Sequence, residues 1–215
     1  MVHKDIKSGE IKTLFLDIGG VLLTDGWGHE SHLRAVKKFG LDREDMEYRH
    51  QLVFDTYELG KMTLDEYLNF VVFYQQRTFS KDDFKTFMFE QSQALNENID
   101  FFKALKQQYN LKVIAVSNEG RELNEYRIKQ FRLDDLFDAY ISSCYVHLHK
   151  PDKDMLRMAC DISHTPPENA LYIDDNGILI DVAVSFGVHV LHFQGLDTSK
   201  DLIKTCTFHK STIAY

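Results

Sequence analysis

The sequence predicts an α/β fold: a Rossmann-like parallel sheet with helices on both faces, and a small α-helical unit inserted after the first strand. Three observations predict it. The run Thr13 to Leu16 is apolar without alternation, which suits a strand covered on both faces, and it delivers Asp17 into a turn at Gly19 and Gly20. From Ile99 onward, apolar strand-like runs are separated by single helical patterns, and parallel strands need such crossovers. Between Thr24 and Leu95 no buried strand can be read, only helices in succession.

The elements follow in order. The stretch Leu14-Phe15-Leu16-Asp17-Ile18-Gly19-Gly20-Val21-Leu22-Leu23 is the first strand and its turn, although alone it reads equally well as a buried strand whose terminal Asp caps the next turn. In the insertion, His29 to Phe39 places Leu33, Val36 and Phe39 on a common side and stops at Gly40. Glu44 to Leu59 stops at Gly60. Thr63 is a natural N-cap for a helix with Tyr67, Phe70, Val71 and Tyr74 at helical spacing, and Ser80 caps a fourth with Phe84, Phe87 and Met88. Beyond it come a helix over Ile99 to Tyr109, a strand Lys112 to Ser117, a helix Glu122 to Phe131 and a strand Tyr140 to Ser143. The pattern closes with a helix Lys153 to Cys160, a strand Ala170 to Asp175, a helix Val182 to Phe186 and a strand Val188 to His192. The expected division is a core of residues 1–23 and 96–215 and a helical unit of residues 24–95.

With 215 residues, 44% of them hydrophobic, the chain is long enough for a sizeable core. A net charge of −8 argues against nucleic acid or an anionic membrane as partner, because binding a polyanion is driven by Lys and Arg neutralising phosphates. A small anionic substrate remains compatible. No leader-like apolar segment opens the sequence and no run approaches the roughly 18 apolar residues of a membrane span, so the expectation is a cytoplasmic protein; its oligomeric state is not legible. Cys144, Cys160 and Cys206 lie far apart, which reads as reduced structural thiols rather than a disulfide framework or a zinc site.

Four polar groups fall at or just after the carboxyl ends of predicted strands: Asp17, Ser117, Lys150 and the Asp174-Asp175 pair. Singly each is weak, since a terminal Ser or Asp caps helices and a lone Lys is usually solvated. Together, three carboxylates, a hydroxyl and an ammonium on one sheet edge call for a divalent cation and an anion such as phosphate to organise them.

At these residues the sequence resembles the haloacid dehalogenase-like (HAD) hydrolase superfamily, over nearly its whole length. Asp17 in D-I-G-G-V matches the nucleophile motif, Ser117 in V-I-A-V-S-N the second, Lys150 in H-K-P-D the third, and Asp174-Asp175 in Y-I-D-D-N the fourth. The insertion corresponds to the family's small cap, with Glu58 to Thr63 similar to a recurring piece of it. From Phe137 to Phe193 the pattern is most similar to sugar-phosphate phosphatases and the phosphatase domain of epoxide hydrolases.

The resemblance implies a phosphatase of small phosphorylated metabolites. Asp17 would attack phosphorus and form an aspartyl-phosphate. Mg²⁺ would be held by Asp17, the Gly19 carbonyl, Asp174 and Asp175, with Asp175 the direct acidic ligand of the pair and Asp174 acting through water. Ser117 and the Asn118 backbone N–H would bind phosphoryl oxygens, and Lys150 would neutralise both Asp17 and the phosphoryl group.

Two departures stand out. Many family phosphatases carry a second Asp two positions after the nucleophile, as general acid and base; here that position is Gly19, and its loss predicts an accumulating phosphoenzyme. In the fourth motif a frequent polar position holds Ile178 or Leu179, with Asp181 a substitute by sequence only. His29, His32, His147, His149 and Asp25 are each candidates for the missing acid, and none is singled out. The competing readings are a catalytically weak or inactive binding protein, motivated by Gly19, and a haloacid dehalogenase. Against the latter stand the acidic pair and the Gly19 position, where family dehalogenases have an aromatic residue.

Overall fold

A computed structural model describes residues 10–208. Five parallel strands, β1 (Thr13–Leu16), β2 (Lys112–Ser117), β3 (Ala139–Ser142), β4 (Ala170–Asp174) and β5 (His189–His192), lie in the order β3-β2-β1-β4-β5. The chain first builds outward from β1 through β2 to β3 and then crosses to β4 on the other side. The reversal opens a crevice outside the carboxyl ends of β1 and β4, where open α/β sheets bind ligands. Register places Leu16 beside Ala115 and Ile173, so Asp17, Ser117 and Asp174 leave the sheet at nearly one level.

Successive side chains of a strand point to opposite faces, and the core divides accordingly. Leu14, Leu16, Val113, Ala115, Leu171 and Ile173 pack on one face against α5 (Asn96–Tyr109), through Ile99, Phe102 and Leu105, and against Ile203 of α10 (Leu196–Lys204). Phe15, Ile114, Val116, Tyr172 and Val190 pack on the other against α8 (Lys153–Ser163) and α9 (Gly177–Phe186). The three cysteines are buried and free. Among the described residues no helix is long and apolar enough to cross a membrane.

Between β1 and α5 run α1 (His29–Phe39), α2 (Arg43–Glu58), α3 (Leu64–Val71) and α4 (Lys81–Glu90). Thr63 and Ser80 cap their helices as expected, each in a reciprocal box with the residue three positions on, Glu66 and Asp83. Three details differ from the sequence reading. The deeply buried residues of α1 are Ser31, His32 and Ala35 rather than Leu33, with the His32 ring turned against Trp27. Phe70 is exposed, and Tyr74 falls beyond α3, where it bonds Asp45 and carries the Arg49 guanidinium over its ring. In the core, α9 begins at Gly177, five residues earlier than the pattern suggested, because the Asn176 side chain accepts from the Ile178 N–H and caps it. The four-residue α7 (Ser143–Val146) and α10 were not anticipated; the first is too short for periodicity and the second buries only Ser199 and Ile203.

The insertion seats on the core where glycine removes a side chain. A Cβ on Gly60, at φ 66°, would stand 2.2 Å from the Cys144 carbonyl oxygen, and one on Gly120 would stand 2.1 Å from the Tyr57 ring. Around these contacts the Ser143 hydroxyl donates to the Glu58 carbonyl at 2.8 Å, His147 Nδ1 bonds the Leu59 carbonyl at 2.7 Å, and the Leu64 N–H donates to Glu122 at 2.8 Å.

Inside the insertion the Tyr67 hydroxyl accepts from Trp27 Nε1 at 2.9 Å and shares a hydrogen bond of 2.8 Å with His50 Nδ1. His50 lies edge-on to His32, with ring centroids 4.5 Å apart. Burial, reinforced by His32 and opposed by Glu47, lowers the His50 pKa to about 4. The unfolded chain takes up this proton near pH 6.5 and the native protein does not, so His50 contributes stability that is full above about pH 6.5 and lost as pH falls toward 4. Urea midpoints of the parent should therefore drop relative to His50→Gln across that interval. A constant difference would remove His50 as a source of acid sensitivity.

Candidate active site

The cleft at the carboxyl edge of the sheet is lined by Asp17, Gly19, Asp25, Ser117, Asn118, Glu119, Lys150, Asp174, Asp175, Asn176 and Leu179, and encloses about 190 Å³. All seven positions expected from the sequence, Asp17, Gly19, Ser117, Asn118, Lys150, Asp174 and Asp175, meet here. His29, His32, His147 and His149 stand outside the lining: His32 is buried beside Trp27, while His147 and His149 bond backbone carbonyls. Asp181 is also outside it, and Leu179 takes the wall position.

Lys150 is the electrostatic centre. Its ammonium lies 3.0 Å from Asp17 Oδ1 and 2.8 Å from Asp174 Oδ2, with both carboxylates largely buried. Burial by itself would lower the lysine pKa, but Asp17, Tyr172 and Asp174 outweigh it and hold the group well above the ordinary lysine range. Its backbone is held as firmly, since Asn118 Oδ1 accepts from the Lys150 N–H at 2.8 Å and Nδ2 donates to its carbonyl at 3.1 Å. The sequence assigns Asn118 only a backbone N–H role; the structure adds this two-sided side-chain clamp on Lys150.

Asp174 is saturated. Oδ2 takes the Lys150 ammonium and the Tyr172 hydroxyl, and Oδ1 accepts from the Asn176 N–H at 2.8 Å. Tyr172 was missed as a site residue, although a tyrosine two positions before an Asp on a strand shares its face. Asp175 is exposed and lies against Gly20, where a Cβ would stand 2.0 Å from its Oδ2. Gly20, at φ 67°, is thus required both for the turn and for this carboxylate. Burial, with Asp17, Asp174 and Asp25, pushes the Asp175 carboxyl up to about 6.

Asp17 is nine-tenths buried, and burial raises its carboxyl above the usual range, with Lys150 pulling it down, Asp174 pushing it up and Ser117 pulling it down again. The Lys150 ammonium pairs with Asp17 Oδ1 out of hydrogen-bond alignment, so that oxygen is buried without an aligned donor among the described residues. A buried, unsatisfied anionic oxygen is costly. Asp17, Asp174 and Asp175 offer carboxylate oxygens within 4.8 Å of one another. Hard oxygen donors gathered around an orphaned carboxylate oxygen fit a hard divalent cation such as Mg²⁺.

Glu119 was also missed. It is buried, its carboxylate paired with Arg127, whose Nε donates to Ser92 Oγ at 2.9 Å and whose Nη2 donates to the Thr24 carbonyl at 2.7 Å. Arg127 thereby ties the cleft wall to both ends of the insertion, a connection between residues a hundred positions apart that no local pattern carries.

The chain is thus a parallel α/β protein with a polar, carboxylate-rich cleft at the sheet's carboxyl edge. Residues 11–187 match the model of the haloacid dehalogenase-like hydrolases, and the chain belongs to that family. It is 28% identical over 194 residues to the drimenol cyclase drtB of Aspergillus calidoustus, a stretch that is 87% of this chain and 35% of the relative. It is 30% identical over 94 residues to a protein provisionally named as pyrophosphatase PpaX from Caldanaerobacter subterraneus subsp. tengcongensis, covering 44% of this chain and 43% of that one. The matches thus span well under half the length of these curated relatives. Among solved structures, a HAD family enzyme from Bacteroides thetaiotaomicron, in complex with magnesium and inorganic phosphate, superposes with a TM-score of 0.72 at 22% identity, over 84% of this chain and 92% of that one.

Proposed function

We propose that the protein is a Mg²⁺-dependent phosphatase of small phosphorylated metabolites that works through an aspartyl-phosphate on Asp17, with residues 24–95 acting as its cap. The observation that carries this reading is the buried Asp17 carboxylate, one oxygen of which has no aligned hydrogen-bond donor and is met only by the Lys150 ammonium at 3.0 Å. A carboxylate so placed is a nucleophile awaiting an electrophile that brings its own negative charge. In line attack by Asp17 on phosphorus displaces the alcohol, and water then releases phosphate from the acyl phosphate. Lys150 neutralises the phosphoryl oxygens, Asp174 and Tyr172 hold Lys150 in place, and Ser117 with the Asn118 N–H receives phosphoryl oxygens. Asp17, the Gly19 carbonyl and Asp175 would hold Mg²⁺, with Asp174, already saturated by protein donors, behind them. When bound, the cation supplies charge neutralisation and orients the phosphoryl group. The Bacteroides relative with magnesium and phosphate supports this reading, as does the small cleft, which suits a phosphoryl group with a compact remainder.

Hydrolysis of p-nitrophenyl phosphate with and without Mg²⁺ tests it. Turnover should require the metal, and full activity in EDTA would overturn the mechanism. A protein whose melting temperature responds to Mg²⁺ and phosphate but which releases no nitrophenol would instead be the binding protein that Gly19 motivates. Dehalogenation is disfavoured by Gly19 and by the second acid, Asp175.

A further inference from the structure

Two displacements at phosphorus need a group that gives a proton to the leaving oxygen and then takes one from water, and Gly19 offers none. Its surroundings do. Gly19 is outside the left-handed region, and a Cβ built on it would meet only Asp25, with the Cα at 3.7 Å and Oδ1 at 3.9 Å. Asp25 therefore borders the open space into which a side chain at position 19 would project. It lines the cleft with Asp17, Ser117 and Lys150.

The other carboxylates of the lining are committed. Glu119 is paired with Arg127, Asp174 is saturated, and Asp17 and Asp175 belong to the cation-holding group. Among the described residues Asp25 has neither a cation partner nor a hydrogen-bond donor, so its carboxylate is available to exchange a proton with bound substrate or water. It is exposed, as an isolated surface Asp would be, but its backbone is not free. Thr24 before it gives its carbonyl to the buried Arg127 and its hydroxyl to the Gln91 carbonyl at 2.9 Å. Gly26 after it, at φ 69°, lies so close under Arg127 that a Cβ would come within 2.2 Å of Nη2.

We propose that Asp25 is the proton-transfer residue of this cleft, standing from the start of the insertion where Gly19 has no side chain. This rests on the phosphoryl-transfer reading above. In the first displacement an Asp17 oxygen bonds to phosphorus, the phosphorus–alkoxide bond breaks, and protonated Asp25 delivers its proton to the departing oxygen. In the second, water oxygen bonds to phosphorus, its proton passes to the Asp25 carboxylate, and the phosphorus–Asp17 bond breaks, regenerating both groups. Arg127 is the positioning residue, since it grips the chain on each side of Asp25.

The consequence departs from what the bare gap at Gly19 predicts: the parent protein should not accumulate phosphoenzyme. With p-nitrophenyl phosphate and Mg²⁺, rapid acid quench should show little acid-stable phosphoprotein in the parent. Asp25→Asn should give a burst of nitrophenol approaching one equivalent per site, with phosphoenzyme decay slowed by about 10²–10⁴-fold. Gly19→Asp placed in the Asp25→Asn protein should restore at least about tenfold of that decay, because the new carboxylate enters the open space beside residue 25, facing the same cleft, and no positive φ strains it. A purely structural role for Asp25 would not be rescued from position 19, so a failed rescue overturns the proposal. Equal decay in parent and Asp25→Asn, or a full burst already in the parent, also overturns it and leaves the aspartyl-phosphate standing. No phosphoprotein in any variant would instead overturn phosphoryl transfer itself.

Discussion

Asp17→Asn should reduce phosphatase activity below about a thousandth of the parent's, in keeping with the scale on which removing a catalytic nucleophile acts. The amide is a poor nucleophile and gives up the charge that would face both Lys150 and the metal. Its effect on stability should run the other way. Because burial, together with Asp174, holds the Asp17 carboxyl above its ordinary pKa despite Lys150, the anion is an unfavourable occupant of the native cleft without a metal ion. Asn at this position removes that penalty while Lys150 keeps Asp174 and Tyr172. Without metal, the melting temperature of Asp17→Asn should equal or exceed the parent's, and the rise on adding Mg²⁺ should shrink. Activity retained in this variant would refute the nucleophile assignment, and an undiminished Mg²⁺ response would refute Asp17 as a ligand.

Lys150→Ala should lose at least an order of magnitude in rate and, unlike Asp17→Asn, should lose stability as well. It leaves Asp17 and Asp174 facing each other in a buried space with no cation between them. Removing one partner from a buried ionic cluster typically costs about 3–5 kcal/mol. Mg²⁺ would resupply part of the missing charge, so chemical denaturation of Lys150→Ala should depend more steeply on metal than that of the parent. Lys150→Met keeps much of the side-chain volume and separates packing from charge. If Lys150→Met matches the parent in rate, the ammonium plays no part in the reaction.

The parts of this site that sequence made legible are those that strands deliver. Asp17, Ser117 and Asp174 each follow an apolar run, and parallel pairing in register is enough to bring such ends together. Asp175 could be placed by its adjacency to Asp174, and Lys150 only by its position after β3, from which α7 separates it. Tertiary contacts decide the rest. The Asn118 clamp on Lys150 joins residues 32 positions apart, and the hold of Arg127 on Thr24 spans 103. Neither Asn118 nor Arg127 differs locally from an ordinary polar residue near a helix start or on a helix. The histidines near the motifs were drawn in by their chemistry alone, and packing assigns them elsewhere: His32 to an aromatic interior, His147 to a carbonyl of the insertion. Asp25 could be weighed from sequence but not chosen, because what distinguishes it is the empty space beside Gly19.

The seat of the insertion at Gly60 has a bearing on how the protein can vary over generations. Where two surfaces are matched by side chains, a change on one side can be answered by a smaller or larger residue on the other. Gly60 faces the backbone of Cys144, and a carbonyl cannot be trimmed by any codon change. Every replacement there adds matter that only a moved main chain could accommodate, so the fit is inherited whole or lost. The outer surface of the helices above, where Tyr48, Leu52 and Phe70 stand exposed, is under no such restriction. Changes can therefore accumulate over the outer face of the insertion while the joint on which it sits is passed on unaltered.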